Sequence, residues 1–177
     1  MEEMIILVDE NDKEIGSEEK IKVHKEGKLH RAFSIFIFNS EGKMLLQKRA
    51  KSKYHSGGLW TNTCCSHPRA GESLNDAVHR RLKEEMGFDC ELKEIFSFIY
   101  KVKFDNNLSE YEYDHVFIGK FDGSPKPNPD EADSYKWISL DELEKDIKQK
   151  PDDYTFWFKI AFDKLADYLK ENPNVLE

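Results

Sequence analysis

The run His30–Asn39 constrains the fold more than any other segment, because Phe33, Ile35 and Ile37 alternate with Ser34, Phe36 and Phe38. Successive side chains of a strand point to opposite faces, so both faces of this strand are largely apolar. Such a strand is central and covered on both sides, which requires helices packed over a sheet. With 177 residues the chain can bury one core of this kind, and one domain spanning residues 1–177 is the expectation. Hydrophobic residues make up 38% and charged residues 35%, a balance that favours a globular fold over disorder.

The neighbouring segments supply the other layers. Met4–Val8 reads as a short apolar strand followed by a turn at Asp9-Glu10-Asn11-Asp12, and a polar stretch carrying His24 and Gly27 leads into the central strand. Asn39-Ser40-Glu41-Gly42 turns the chain into a strand at Lys43–Arg49, Ala50–Gly58 is a basic loop, and Trp60–Cys65 is a short strand. A helix opens at Ser73, whose capping partner is Asp76; Leu74, Val78 and Leu82 recur every four residues and Gly87 stops it. Glu91–Phe104 and Glu110–Phe121 are strands joined at Asp105-Asn106-Asn107, and alternation puts Glu110 and Glu112 on one face. Ser134–Ile138 is a last strand, and Ser139 caps a short helix reaching Gln149. A helix from Thr155 to Asn172 is apolar on more than one side, so it packs across the sheet.

A net charge of -8 and a pI near 5.3 oppose any broad attraction to nucleic acid. A phosphorylated small molecule fits that field only where local Lys or Arg and a divalent cation offset it. Cys64, Cys65 and Cys90 form no disulfide framework, and no run is apolar enough to span a bilayer or to serve as a leader. Reduced thiols and work in the cytoplasm, away from membranes, are therefore expected.

Thr63-Cys64-Cys65-Ser66-His67-Pro68, taken with Glu110-Tyr111-Glu112 and with His24 and His30, supplies thiol, imidazole and carboxylate together. Imidazole and carboxylate suit a divalent metal and leave the thiol for chemistry. Where extended geometry persists to Pro68, Cys65 and His67 project together and Cys64 points the other way. Cys65 is then the candidate reactive thiol, against the plain alternative that both cysteines are small buried hydrophobes. Three histidines and two same-face glutamates suit a six-coordinate Mn²⁺ or Mg²⁺, or an expanded Zn²⁺ site, better than a closed structural zinc. His55, His79 and His115 read as ordinary histidines without metal. Arg81 and Glu85, four apart on the capped helix, form either a structural ion pair or part of a phosphate-binding helix.

Ser66–Phe88 resembles the Nudix box, Gly-x5-Glu-x7-Arg-Glu-x-x-Glu-Glu-x-Gly, with Glu72, Arg80, Glu84, Glu85 and Gly87 in register. Ser66 stands in place of the first Gly, and Arg81 in place of the first Glu of the Arg-Glu pair, which removes a Mg²⁺ ligand of the hydrolases. The same departure is usual in one branch, the type I isopentenyl-diphosphate isomerases. Leu29-His30-Arg31-Ala32-Phe33-Ser34, Leu45-Leu46-Gln47-Lys48-Arg49, Trp60–Pro68, Glu110-x-Glu112 and Trp157-Phe158-Lys159-Ile160 resemble that branch's motifs in the correct order. Ser56 and Phe156 depart from it at places where the family tends to have Pro nearby.

The resemblance implies an α+β protein, a Nudix-fold α/β/α sandwich with a mixed central sheet, that interconverts isopentenyl and dimethylallyl diphosphate by protonation and deprotonation through a tertiary carbocation. It implies Cys65 and Glu112 as the acid–base pair, Trp157 over the cation and Tyr100 orienting Glu112. His24, His30, His67, Glu110 and Glu112 are the implied ligands of one Zn²⁺ or Mn²⁺, and Glu85 that of a Mg²⁺ bridging diphosphate oxygens. Lys20, Arg49, Lys53 and Arg81 answer the remaining phosphate charge. The expected partner is a small diphosphate, with neither nucleic acid nor membrane, and the expected state is a monomer, with a weak homodimer as the alternative. Two rivals stand beside this reading: a Nudix pyrophosphohydrolase, favoured by Glu84 and Glu85 but opposed by Arg81, and a non-catalytic Nudix module that binds metal or diphosphate.

Overall fold

In the computed structural model, which describes residues 2–177, β1 (Met4–Val8) and β2 (Glu14–Glu19) pair antiparallel and lead into α1 (Lys20–Glu26). The polar stretch ahead of the central strand thus holds a strand and a helix that its sequence conceals. Strand β2 lies at the sheet edge, where little burial is demanded of it. Helix α1 forms on local hydrogen bonds: the Glu19 carboxylate accepts from the backbone N–H groups of Ile21 and Lys22 at 2.8 and 2.9 Å, and Gly27 closes it at φ 65°. After it come β3 (His30–Phe38), β4 (Met44–Arg49), β5 (Trp60–Thr61), β6 (Cys64–Ser66), α2 (Leu74–Met86), β7 (Leu92–Lys103), β8 (Ser109–Lys120) and β9 (Ala132–Ile138). The chain ends with α3 (Leu140–Gln149), a 3₁₀ turn at Pro151–Asp153 and α4 (Phe156–Glu171).

The strands form one mixed nine-stranded sheet with β3 at its centre. It runs parallel to β8 and antiparallel to β1, β4 and β6. Its two apolar faces go to different layers. Phe33, Ile35 and Ile37 pack with Cys64, Val78, Leu82 and Met86 under α2. Phe36 and Phe38 pack with Trp157, Phe158, Phe162 and Leu165 under α4. The two covering helices make the α/β/α layering expected from the central strand.

The expected strand Trp60–Cys65 is corrected to two. Trp60–Thr61 pairs with β4, and Cys64–Ser66 crosses to β3. The break has a cause in the side chains between them, which take backbone partners of their own. Asn62 Nδ2 donates to the carbonyls of Ile35 and Cys64 at 3.0 and 2.9 Å; Thr63 Oγ1 donates to Leu45 O at 2.7 Å and accepts from the Ile37 N–H at 3.0 Å.

Helix α2 has the expected ends: Ser73 Oγ accepts from the Asp76 N–H at 3.1 Å, and Gly87 sits at φ 73°. Among the described residues no helix is long and apolar enough to cross a membrane. A Cβ at Gly87 would stand 2.5 Å from the Lys126 carbonyl oxygen, so Gly87→Ala adds a backbone clash to left-handed strain. We expect it to lower stability by about 2 kcal/mol or more, read as a shift in the urea midpoint.

Candidate active site and metal centre

Strand alternation builds the site on the α4 side of the sheet. His30 and Ser34 of β3 share that face with Glu110, Glu112 and Asp114 of β8, and the register sets His30 opposite Glu112. Tyr100 of β7, paired with Glu112, donates its hydroxyl to Glu112 Oε1. Strand β6 brings in Cys65, the loop after it His67, α2 Arg81 and Glu85, and α4 Trp157, all of which line one cavity. Lys20, Arg49 and Lys53 line the same cavity, while His24 and His30 are fully buried beside it. The residues that the resemblance implied for the site are thus brought together. Ser34, Asp114 and His55 line the cavity as well; the sequence reading gave the first two no role and read His55 as an ordinary histidine without metal. Asp114 carried a signal, since it continues the alternation of Glu110 and Glu112; a loop histidine such as His55 carried none.

Cys65 and Cys64 part as the extended geometry requires. Cys64 is fully buried in the core under α2. Cys65 Sγ accepts from Trp157 Nε1 at 3.2 Å and donates to Asn62 Oδ1 at 2.7 Å. The Asn62 amide cannot turn, because its nitrogen is committed to two carbonyls, so its oxygen must face the thiol. Ser34 Oγ, 3.7 Å from Sγ, donates to Asp114 Oδ2 at 2.7 Å. Burial, reinforced by the Asp114 charge, pushes the Cys65 thiol above its ordinary range. The Glu112 carboxyl is likewise raised, first by burial and then by the Glu110 and Asp114 charges, and burial lifts Asp114 to about 7.

His24, His30, His67 and Glu110 each place one ligand atom within 4.8 Å of the others. Glu112 adjoins this group, its Oε2 lying 3.1 Å from His67 Nε2 and 3.7 Å from His30 Nε2. Hydrogen bonding argues that the cluster fits a cation. His24 Nδ1 lies 2.6 Å from Lys20 O and His30 Nδ1 2.9 Å from Lys28 O. Carbonyls only accept, so each Nδ1 carries a proton and each ring turns its Nε2 inward. Both Nε2 atoms meet carboxylate oxygens: His24 Nε2 is hydrogen-bonded to Glu110 Oε1 at 3.1 Å, whereas His30 Nε2 stands 3.7 Å from Glu110 Oε2 without a hydrogen bond. Burial works against the charged form of all three rings; at His24 the Glu110 contact overcomes it and raises the ring, whereas His30 is held down at about 4 and His67 well below its usual value, so protonation relieves the opposition at His24 and not at the other two. His30 Nε2, His67 Nδ1 and Glu110 Oε2 are buried without a partner. A divalent cation bound by these rings and carboxylates satisfies them together.

On the other wall, Arg81 contacts Glu84 and Glu85 at 2.6 Å each and Glu131 at 3.2 Å, and Lys53 reaches Glu131 at 2.6 Å. Gln47 Nε2 donates to Glu85 at 2.9 Å. Arg81 and Glu85 are therefore ion-paired, and both also line the cavity. Lys20 is 3.2 Å from Glu3, and the Arg49 guanidinium stands 5.1 Å from the Trp157 ring centroid. His79 pairs with Asp89 at 2.6 Å on the flank of α2, and His115 bridges Asp12 and Glu94 outside the cavity. His55, expected to be without metal, stays outside the four-residue cluster, although its Nε2 lies 2.9 Å from Glu110 Oε1, off the hydrogen-bonding direction.

The NUDIX domain profile matches residues 28–158, which sets the class of the chain. The fold resembles that of a solved Deinococcus radiodurans protein with a TM-score of 0.70, at 20% identity, covering 83% of this chain and 90% of that one. "Isopentenyl-diphosphate Delta-isomerase 2" of Photorhabdus laumondii is 60% identical over 94% of this chain and 94% of its own length. A protein of the same name from Aromatoleum aromaticum is 54% identical over 93% of this chain and 87% of its own. Within the NUDIX class, the chain belongs to the isopentenyl-diphosphate Delta-isomerase family.

If the cluster takes a cation, chelator-treated protein titrated with Zn²⁺ as a probe should gain thermal stability in proportion to the logarithm of free metal. The gain is on the order of 3 kcal/mol at a hundredfold excess over the dissociation constant. His24→Ala should remove most of that gain in a calorimetric scan.

Proposed function

We propose that this chain interconverts isopentenyl and dimethylallyl diphosphate, with Cys65 and Glu112 as the proton-transferring pair. The observation that carries the reading is the thiol. Cys65 Sγ is held between the Trp157 N–H and the fixed Asn62 oxygen, in a cavity that Glu112 also lines. Delivery of a proton to the terminal alkene carbon makes a tertiary carbocation at the neighbouring carbon, and loss of a proton from the adjacent methylene completes the shift of the double bond. One of the pair gives the first proton and the other takes the second; in the reverse reaction the roles exchange.

Trp157 supplies an aromatic face to the cation, an interaction worth about 2 kcal/mol in a desolvated site. Its packing between α4 and the sheet holds the ring still, and Tyr100 orients Glu112 through its hydroxyl. Water is kept from the cation by the burial of these groups, which matters because a free carbocation would be quenched to an alcohol. Lys20, Arg49, Lys53 and Arg81 bind the diphosphate, the guanidinium groups through paired hydrogen bonds.

His24, His30, His67, Glu110 and Glu112 would hold one Zn²⁺ or Mn²⁺, which would fix Glu112 and tune its proton affinity. Glu85, steadied by Gln47 and Arg81, would hold a Mg²⁺ shared with the diphosphate. Hydrolysis is disfavoured because Arg81 sets a cation against Glu84, Glu85 and Glu131 where the hydrolase pattern has another acid. The three free cysteines suit the reducing cytoplasm.

In deuterated buffer, isopentenyl diphosphate should give deuterated dimethylallyl diphosphate without released phosphate; phosphate release would support the hydrolase, and unchanged substrate a binding module. Cys65→Ala should fold normally and lose isomerisation by a factor of about 10³ or more. Cys64→Ala should instead cost about 1 kcal/mol of stability through a small cavity and leave turnover near normal. Near-normal turnover in Cys65→Ala would eliminate the proposed pair. Glu85→Gln should weaken Mg²⁺-dependent diphosphate binding about tenfold while metal analysis still finds the ion of the histidine site; equal loss of both ions would show that the sites are not separate.

A further inference from the structure

His55 sits where two functions meet. It lies in the loop between β4 and β5, 8% exposed, with its Nε2 2.9 Å from Glu110 Oε1. Its ring stacks on Phe104 at 4.9 Å and stands edge-on to Trp157 at 5.5 Å. Neither ring nitrogen has a hydrogen-bond partner, and a buried imidazole left so is costly. Its own carbonyl accepts from Arg49 Nη2 at 3.3 Å, and Arg49 leans on Trp157. One residue therefore touches a carboxylate of the metal cluster with its side chain and a cation of the diphosphate wall with its backbone.

We propose that His55 is a positioning residue that latches the 50–58 loop onto the metal centre through Glu110, so that a bound ion orders the loop that presents Arg49 and Lys53. The inference rests on the metal reading given under Proposed function and adds a residue and a coupling to it.

Competition at one oxygen is the device. His24 Nε2 and His55 Nε2 converge on Glu110 Oε1, at 3.1 and 2.9 Å, whereas Oε2 is buried and unpartnered. His24 donates from Nδ1 to Lys20 O, and its Nε2 occupies Oε1 through a hydrogen bond. A cation held by His24 and Glu110 would take His24 away from that bond and leave Oε1 to an N–H from His55. The loop is tied together internally. Ser56 adopts φ 53°, a Cβ on Gly57 would stand 2.7 Å from Lys51 O, and the backbone closes with Gly58 N–H donating to Arg49 O at 2.9 Å. Fixing His55 therefore fixes the loop's other residues, and a coupling of this kind is reciprocal.

Hydrogen exchange of the 50–58 amides, followed in chelator-stripped and Zn²⁺-loaded full-length protein, tests the latch. In the wild type, zinc should slow exchange there by about tenfold. His55→Ala should bind the same amount of zinc yet leave the loop's exchange within about twofold of the stripped protein. His55→Gln, whose amide can donate in place of the ring, should recover part of the protection, and it guards against a packing defect in the alanine variant. KM for isopentenyl diphosphate should rise more than kcat falls in His55→Ala, because the latch positions the binding wall and touches no reacting atom. Zinc protection of the loop persisting undiminished in His55→Ala would overturn the proposal, and so would loss of zinc from that variant, which would make His55 a ligand. A wild type that binds no zinc would instead remove the metal reading itself.

Discussion

The parallel pairing of β3 with β8 is the constraint on which the rest of the site depends. It sets His30 beside Glu112 and, on the same face, brings Ser34 close to Asp114. Side chains alternate with period two, so a slip of one residue would turn Glu110, Glu112 and Asp114 into the apolar layer under α2 and send Phe117 to the metal side. The apolar residues further along the same strands prevent it. Phe36 and Phe38 belong to the α4 core and Phe33, Ile35 and Ile37 to the α2 core, and neither set can change face without exposing the other. The register of the reactive end is thus held by the greasy end of the same two strands.

That arrangement accepts a local cost. Glu110, Glu112, Asp114, His24, His30 and His67 are all buried, and burying so many ionisable groups is unfavourable unless charges are matched. Part of the matching is internal: Glu110 is held well below its usual range, burial opposing and the His24 and His55 contacts prevailing. The remainder, seen in inward lone pairs and unpartnered oxygens, is of the kind that a divalent cation supplies. At the opposite wall Arg81 meets three carboxylates, and the arginine that interrupts the acidic pattern of the helix is what lets those acids sit together beside the cavity.

Much of this was readable from residue order. The capped helix from Ser73 to Gly87 and the double-faced strand at His30 depend on neighbours a few positions away, and the alternation of Glu110 and Glu112 needs only an extended backbone. Cys65 and Cys64 diverge for the same reason. The hidden elements were those whose stability comes from elsewhere. Strand β2 is polar because it sits at an edge, α1 is short and starts on an unusual glutamate cap, and the strand at Trp60 breaks because Asn62 and Thr63 bond to carbonyls and amides of β3 and β4.

The amino-acid sequence by itself determined the layers of the fold, the helix that carries Arg81 and Glu85, and the family to which the motifs belong, since periodicity, capping and motif spacing are local properties. Tertiary structure alone decided which histidines face Glu110, that Asn62 presents its oxygen to Cys65, and that His55, from a loop far along the chain from residue 110, reaches the same carboxylate as His24. Such contacts depend on where strands cross and which side-chain groups are left without partners after the backbone has satisfied its own hydrogen bonds, and no spacing along one chain records that.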